Sequence, residues 1–292
     1  MPPVIATTAD ELAGARATGA AGGPLVLVPT MGALHEGHRA LIRRGRKLGR
    51  VAVSIFVNPL QFGPNEDLDR YPRTLPADIE VCADEGVDLV FAPGPEVMYP
   101  REPEVRVRSG RMGAIVEGAA RPGHFDGVLT VVLKLFNLVR PDVAVFGEKD
   151  AQQLALIRRM VADLNVPVRV ESVPTVREPD GLALSSRNRY LSPGERRTAL
   201  ALSLALRAGA ATSGAPAEIL GAAQAVLDEA AKADPPLRLD YLVLVEPATF
   251  TEVTSHHSGP ALLAVAGRVG ATHLIDNMPL TVFGSERHHG DA

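Results

Sequence analysis

Apolar residues in the first two thirds of the chain come in short unbroken runs, at 24–29, 51–57, 87–91, 143–147 and 168–170. Each run is rich in Val, Ile and Leu and bounded by Gly, Pro or polar residues, the pattern of strands covered on both faces. Helix-length stretches separate them, at about 36–48, 76–85 and 152–164. Strand and helix in alternation predict an α/β fold, a Rossmann-like doubly wound parallel sheet with right-handed crossovers. After about residue 192 the pattern changes. Residues 193–232 are Ala-rich and read as two helices broken near 212–216, followed by strands at 239–245, 261–265 and 273–275. The expected organisation is a larger α/β domain over 1–184, a smaller α+β C-terminal domain over 185–284, and a frayed tail over 285–292.

Composition narrows the function. With 30 Lys+Arg against 34 Asp+Glu the net charge is −4, which argues against a protein that grips nucleic-acid backbone. Aromatic residues are 4% of the 292 and there is no Trp, so stacking platforms for single strands are scarce. Cys82 is alone, which excludes an intrachain disulfide and a multi-Cys metal site. No basic segment precedes an apolar stretch at the start, and no run approaches the ~20 apolar residues of a membrane span. A cytoplasmic protein without membrane or nucleic-acid partners is the expectation. The His pairs at 256–257 and 288–289 stand in polar segments and are given no metal role.

Ligands of an open parallel sheet collect beyond the carboxyl ends of its strands, and four polar segments follow strand-like runs. The first is Pro29-Thr30-Met31-Gly32-Ala33-Leu34-His35-Glu36-Gly37-His38. Gly32 and Gly37 allow close backbone approach. His35 and His38 share a face at a helix start, where free N–H groups suit a phosphate. Imidazoles there can donate to phosphoryl oxygens as charge develops. Their step of three does not match the H-E-x-x-H zinc spacing; the plainer alternative is two polar caps on a solvated turn.

The second segment carries Asn58 and Gln61, whose amides pair with hydroxyls or carboxylates without adding charge. An Asn-Pro turn is the plainer reading. The polar stretch 65–73 beyond reads as a flap in which Asp67 and Asp69 only solvate the chain. The third segment is Gly147-Glu148-Lys149-Asp150-Ala151-Gln152-Gln153. Lys149 can neutralise a phosphate, Asp150 can hold hydrated magnesium, and Gln153 faces the same cleft; the alternative is a charged helix cap. The fourth runs from Thr175 to Asn188 and includes Leu184-Ser185-Ser186-Arg187. Two hydroxyls followed by Arg fit a clamp on a triphosphate, against the alternative of an interdomain loop with a Ser turn. Neither a Walker A sequence nor a G-x-G-x-x-G fingerprint is present.

Residues 29–38 resemble the HIGH-type signature of the nucleotidyltransferase superfamily, and Leu184-Ser185-Ser186-Arg187-Asn188 resembles its KMSKS-type loop. Together with Phe56-Val57-Asn58-Pro59-Leu60-Gln61-Phe62, Tyr71-Pro72-Arg73-Thr74, Gly123-His124-Phe125-Asp126-Gly127-Val128 and Phe146-Gly147-Glu148-Lys149-Asp150, they are similar, in joint order, to the pantoate–β-alanine ligase family over about 24–280. A departure is Leu184, where many members carry Met; the stretch 75–78 and the C-terminal tail match less well. The resemblance implies ATP-dependent activation of pantoate to pantoyl adenylate, then attack by β-alanine. It implies an ATP site of Pro29, Met31, Gly32, His35, His38, Gly147, Lys149, Asp150, Val176, Leu184, Ser185, Ser186 and Arg187. Of these, His35, His38, Lys149 and Arg187 would be catalytic. Met31, Asn58, Gln61, Arg121 and Gln153 would meet pantoate, Asp150 would meet Mg2+, and the enzyme would be a homodimer. Three alternatives remain at this point: a nucleotidyltransferase that stops at an adenylylated product, an aminoacyl-tRNA synthetase, and a non-catalytic nucleotide sensor.

Overall fold

A computed structural model describes residues 2–18, 23–64 and 66–283. The tail expected over 285–292, with its His pair, lies outside the described residues. The first part contains β1 (Val4–Ala6), α1 (Ala9–Thr18), β2 (Leu25–Thr30), α2 (Glu36–Arg46), β3 (Arg50–Ile55), α3 (Leu75–Asp84) and β4 (Leu89–Phe91). It continues through the single turns α4 (Pro95–Met98) and α5 (Glu117–Ala120), then α6 (His124–Val139), β5 (Val143–Gly147), α7 (Ala151–Asp163) and β6 (Arg169–Val173). All six strands are parallel, in the order β1-β4-β3-β2-β5-β6. The chain steps outward from β2 to β4, then returns through α6 to lay β5 on the other side of β2. Strand order therefore reverses between β2 and β5, and a crevice opens there beyond the carboxyl ends.

The unbroken apolar runs are explained by burial on both faces. Val26 and Val28 point to one side, against Ile42 of α2 and Cys82 of α3. Leu25 and Leu27 point to the other, against Leu135 and Phe136 of α6. Burying a side chain such as Leu27 contributes about 1.5–3 kcal/mol. Cys82 is a core residue, and burial aided by Asp78 pushes its thiol up to about 12.

The second part comprises α8 (Pro193–Ala211), α9 (Pro216–Ala230), and the antiparallel strands β7 (Leu237–Val245), β8 (Gly259–Val269) and β9 (Thr272–Val282). Ser192 and Glu195 form a reciprocal capping box that starts α8, with Pro193 in its first turn. Leu202, Leu206 and Leu227 of the helices pack on Leu244 and Leu263 of the sheet. Ala155 of α7 meets Val245, Phe250 and Leu262 where the two parts touch.

Three elements lie outside the strand-like runs and helix-length stretches read from the sequence. β1 is a three-residue edge strand with Val4 and Ile5 exposed, and α1 buries Leu12 alone. α6 buries ten of its sixteen residues, and Asp126, Thr130, Lys134 and Asn137, at i, i+4, i+8 and i+11, mark its less buried face.

Candidate active site

The loop between β2 and α2 is held from behind. Asp78 of α3 is 2% exposed, and its carboxylate accepts from Ala33 N at 3.0 Å, Leu34 N at 2.7 Å and the Thr74 hydroxyl at 3.2 Å. Gly32 has φ +84°, and a Cβ there would lie 3.0 Å from Asp78 Oδ2, so backbone and space both call for glycine. Asp78 is thus an anchor for the loop, with both carboxylate oxygens committed to it.

His35 and His38 are helix caps, but their rings are part-buried in a cleft and do not stand on a solvated turn. His35 Nδ1 accepts from Gly37 N at 3.1 Å, and His38 Nδ1 accepts from His35 N at 3.2 Å. With each Nδ1 acting as acceptor, each neutral ring carries its hydrogen on Nε2. The ring centroids are 4.1 Å apart. Burial, reinforced by Lys149, pushes His35 down to about 4; burial, His35 and Lys149 push His38 to about 3. Both are neutral donors at neutral pH.

Those depressed values make stability pH-dependent. Between the ordinary imidazole value of 6.5 and about 4, the unfolded chain binds protons that the folded His35 and His38 refuse, so stability falls as pH drops through this window. At about pH 5 each such ring withdraws about 1–2 kcal/mol. Thermal melts at pH 7.5 and 5.0 should show a lower Tm at the acid value, and a higher one would contradict the buried neutral pair.

Asn58 and Gln61 form the next wall. Asn58 is 1% exposed and all four of its amide valences are used within the protein. It donates to Gln61 Oε1 at 3.0 Å and Gly127 O at 3.1 Å, and accepts from Tyr99 Oη at 2.9 Å and Leu60 N at 3.3 Å. It therefore acts on the cleft by orienting Gln61, whose Nε2 also reaches Met31 S at 3.2 Å. Gly127 lets α6 approach this turn, since a Cβ would collide with the Leu60 carbonyl.

Arg121 and His124, at the start of α6, complete that side. His124 Nε2 faces Arg121 Nη1 at 3.1 Å and can only accept from it, so Nδ1 donates to Gln61 O at 2.9 Å. Burial and the Arg121 charge push His124 down to about 4. Arg121 also pairs with Glu66, Nε to Oε1 at 2.8 Å.

Opposite, Lys149 and Asp150 occupy a single 3-10 turn that follows β5, and Gln153 stands in the first turn of α7. Adjacent Gln152 points away: it accepts from Glu117 N at 3.0 Å and donates to Met112 O at 2.7 Å and Ile115 O at 2.8 Å. The fourth segment closes the ring. Leu184 N donates to Val176 O at 2.9 Å, Ser185 caps a 3-10 turn by accepting from Arg187 N at 3.3 Å, and Ser186 Oγ lies 3.1 Å from Tyr71 Oη.

Arg187 forms a bidentate pair with Asp67, both contacts at 2.9 Å. Asp67 is therefore not the solvating residue expected from sequence. Its side chain is 15% exposed, and the Arg187 guanidinium holds its carboxyl below the usual range against the effect of burial.

One cleft of about 240 Å³ takes in Pro29, Met31, His35, His38, Asn58, Gln61, Arg121, Gly147, Lys149, Asp150, Gln153, Val176, Leu184, Ser185, Ser186 and Arg187. Gly32, also predicted for the ATP site, stands behind it against Asp78 and Ile55. Sequence reasoning gave no role to Asp78, Tyr71, His124 or Glu66. Tyr71 and His124 did fall within family-like motifs, the one signal that could have found them.

A switch-point cleft with neutral imidazole donors, cations and hydroxyls, but no activated nucleophile, suits nucleotidyl transfer to a small acid, the chemistry of an AMP-forming ligase. The chain belongs to the pantoate–β-alanine ligase family, whose model matches residues 4–279. It is similar to the pantothenate synthetase of Thermobifida fusca, 62% identical over 288 residues and 96% of each chain. That of Acidothermus cellulolyticus is 59% identical over 285 residues, 95% of this chain and 92% of its own. Among solved structures, pantothenate synthetase from Thermus thermophilus superposes with a TM-score of 0.87 at 49% identity, covering 94% of this chain and 98% of that one. A pantoate–β-alanine ligase from Francisella tularensis, complexed with β-γ ATP and β-alanine, gives 0.77 at 33% identity, covering 94% and 97%. Among the described residues no helix is long and apolar enough to cross a membrane.

Proposed function

We propose that this cleft carries out both halves of an ATP-dependent condensation of pantoate with β-alanine. The pantoate carboxylate attacks the α-phosphorus of ATP, the α–β bridging bond breaks, and pyrophosphate leaves. The β-alanine amine then attacks the acyl carbon of pantoyl adenylate, loses a proton, and expels AMP to give pantothenate. The supporting observation is the convergence of the neutral His35–His38 pair, Lys149 and the Ser185–Arg187 loop on one cleft.

In this reading the Nε2–H groups of His35 and His38 donate to phosphate oxygens, joined by Lys149, as negative charge builds. Ser185, Ser186 and Arg187 hold the triphosphate. Gln61 and Gln153 orient pantoate, Met31 offers an apolar contact to its methyl groups, and Arg121 attracts its carboxylate. Pro29, Gly147, Val176 and Leu184 shape the nucleotide pocket. No group on the protein is acylated.

Magnesium belongs to the proposal. Mg2+ bound with a nucleotide takes one or two carboxylates plus phosphates and water, and Asp150, at the cleft beside Lys149, fits that donor set. When bound, the ion would neutralise triphosphate charge. The reading also includes a binding domain over 1–184, a lid over 185–284, a homodimer and a cytoplasmic enzyme; light scattering tests the dimer.

Supplied with pantoate, β-alanine and ATP-Mg, the enzyme should release AMP and pyrophosphate with strict dependence on both organic substrates. ADP formation, or AMP release indifferent to β-alanine, would sink the reading. Gln153→Ala should raise the KM for pantoate about tenfold, the order of one lost directional hydrogen bond to a charged group, and leave the KM for ATP nearly unchanged. An unaltered pantoate KM would remove Gln153 from that role.

A further inference from the structure

Two adjacent residues of β9 hold segments that line the cleft. Asn277 is 6% exposed, and its side-chain amide donates to Glu148 O at 2.9 Å and Lys149 O at 2.8 Å. An amide nitrogen has two hydrogens, so both are committed to the turn that carries Lys149. Asp276, 3% exposed, forms a bidentate pair with Arg177 at 2.6 and 2.9 Å and accepts from Asn277 N at 2.8 Å. Arg177 opens the excursion that ends in the Ser185–Arg187 loop: it bridges to Ala183 and donates to Gly181 O at 3.2 Å. Neighbouring residues of one strand thus hold the two separate segments that bear the phosphate-binding side chains.

We propose that Asn277 and Asp276 are positioning residues for adenylate formation, Asn277 acting through Lys149 and Asp276, by way of Arg177, through the Ser185–Arg187 loop. The inference rests on the site reading above. A three-residue 3-10 turn has poor internal hydrogen bonding, so the direction of Lys149 depends on what holds the carbonyls of residues 148 and 149. Nucleotidyl transfer is sensitive to such aim, because a displacement of about 1 Å can cost ~10²-fold in rate. The second half-reaction starts after pyrophosphate has gone and needs no grip on the β- and γ-phosphates.

The test is a double-mutant cycle on pantoate-dependent ATP–pyrophosphate exchange, with β-alanine omitted, after thermal melts establish that each variant is folded. Asn277→Ala should lower the exchange kcat by ~10–10²-fold. On a Lys149→Ala background the same change should cost less than about threefold, because residues acting as one unit are not additive. Asp276→Asn, which preserves side-chain shape, should reduce exchange by a smaller factor that vanishes on an Arg187→Ala background and persists with Lys149→Ala. Conversion of preformed pantoyl adenylate by β-alanine should stay within about threefold of wild type in both single variants. Effects that multiply through both cycles, or equal losses in the two half-reactions, would mark the pair as general structural supports and overturn the proposal. If Lys149→Ala alone exchanges normally, the site reading fails and this inference falls with it. Should Asn277→Ala fail to fold, the Asp276→Asn arm decides.

Discussion

His38→Ala is expected to lower pantoyl-adenylate formation by ~10²–10³-fold, the usual loss on removing one preorganised donor to developing charge. The size follows from geometry. His38 uses Nδ1 to accept from His35 N, which leaves Nε2–H as its donor at the cleft. Its pKa, pushed to about 3, keeps the ring neutral across the assay range. The acid limb of the exchange profile should therefore show no step near 6.5 that disappears in the variant. Losing the capping interaction should cost about 0.5–2 kcal/mol of stability, little enough to leave a folded protein for the comparison. Exchange within tenfold of wild type in a folded variant would show that the imidazole role is misassigned.

Arg187→Ala should have a comparable effect, a fall of ~10²-fold or more in adenylation with a raised KM for ATP, since a charge-assisted bidentate donor is lost. Arg187→Lys should fall between the two, because an ammonium keeps the charge without the planar fork. In the structure Arg187 is paired with Asp67, so a triphosphate must compete with that carboxylate for the guanidinium. Turnover of preformed pantoyl adenylate should be much less affected than exchange. Equal loss in both steps would place Arg187 outside the triphosphate grip.

Much of this site could be read from the chain because its parts follow strands directly. The loop after β2, the turn after β5 and the loop leading to Ser185 each lie at the mouth of the sheet. The apolar runs that form β2, β3 and β5 announce those positions without reference to any distant residue. The separation of Gln152 from Gln153 is another matter, settled by the helical rotation between neighbours and the direction in which α7 packs. The sequence singles out Gln153 for the cleft and gives Gln152 no role; packing sends Gln152 to the carbonyls of Met112 and Ile115. Asn58 likewise sits where it was expected, but its valences are used in orienting Gln61.

The α/β class, the alternation that sets the parallel sheet and the local identity of the chemical groups are all legible in the chain. Those follow from burial and from backbone preferences within a few residues. Which groups are free to meet a ligand and which are held by the protein follows from long-range packing. Asp78 anchors Ala33 and Leu34 from 44–45 residues away, and Asp67 pairs with Arg187 across 120. Asn277 reaches Lys149 across 128 residues. Such partnerships are fixed by the packing of whole elements, and no local pattern of hydrophobic and polar positions encodes them.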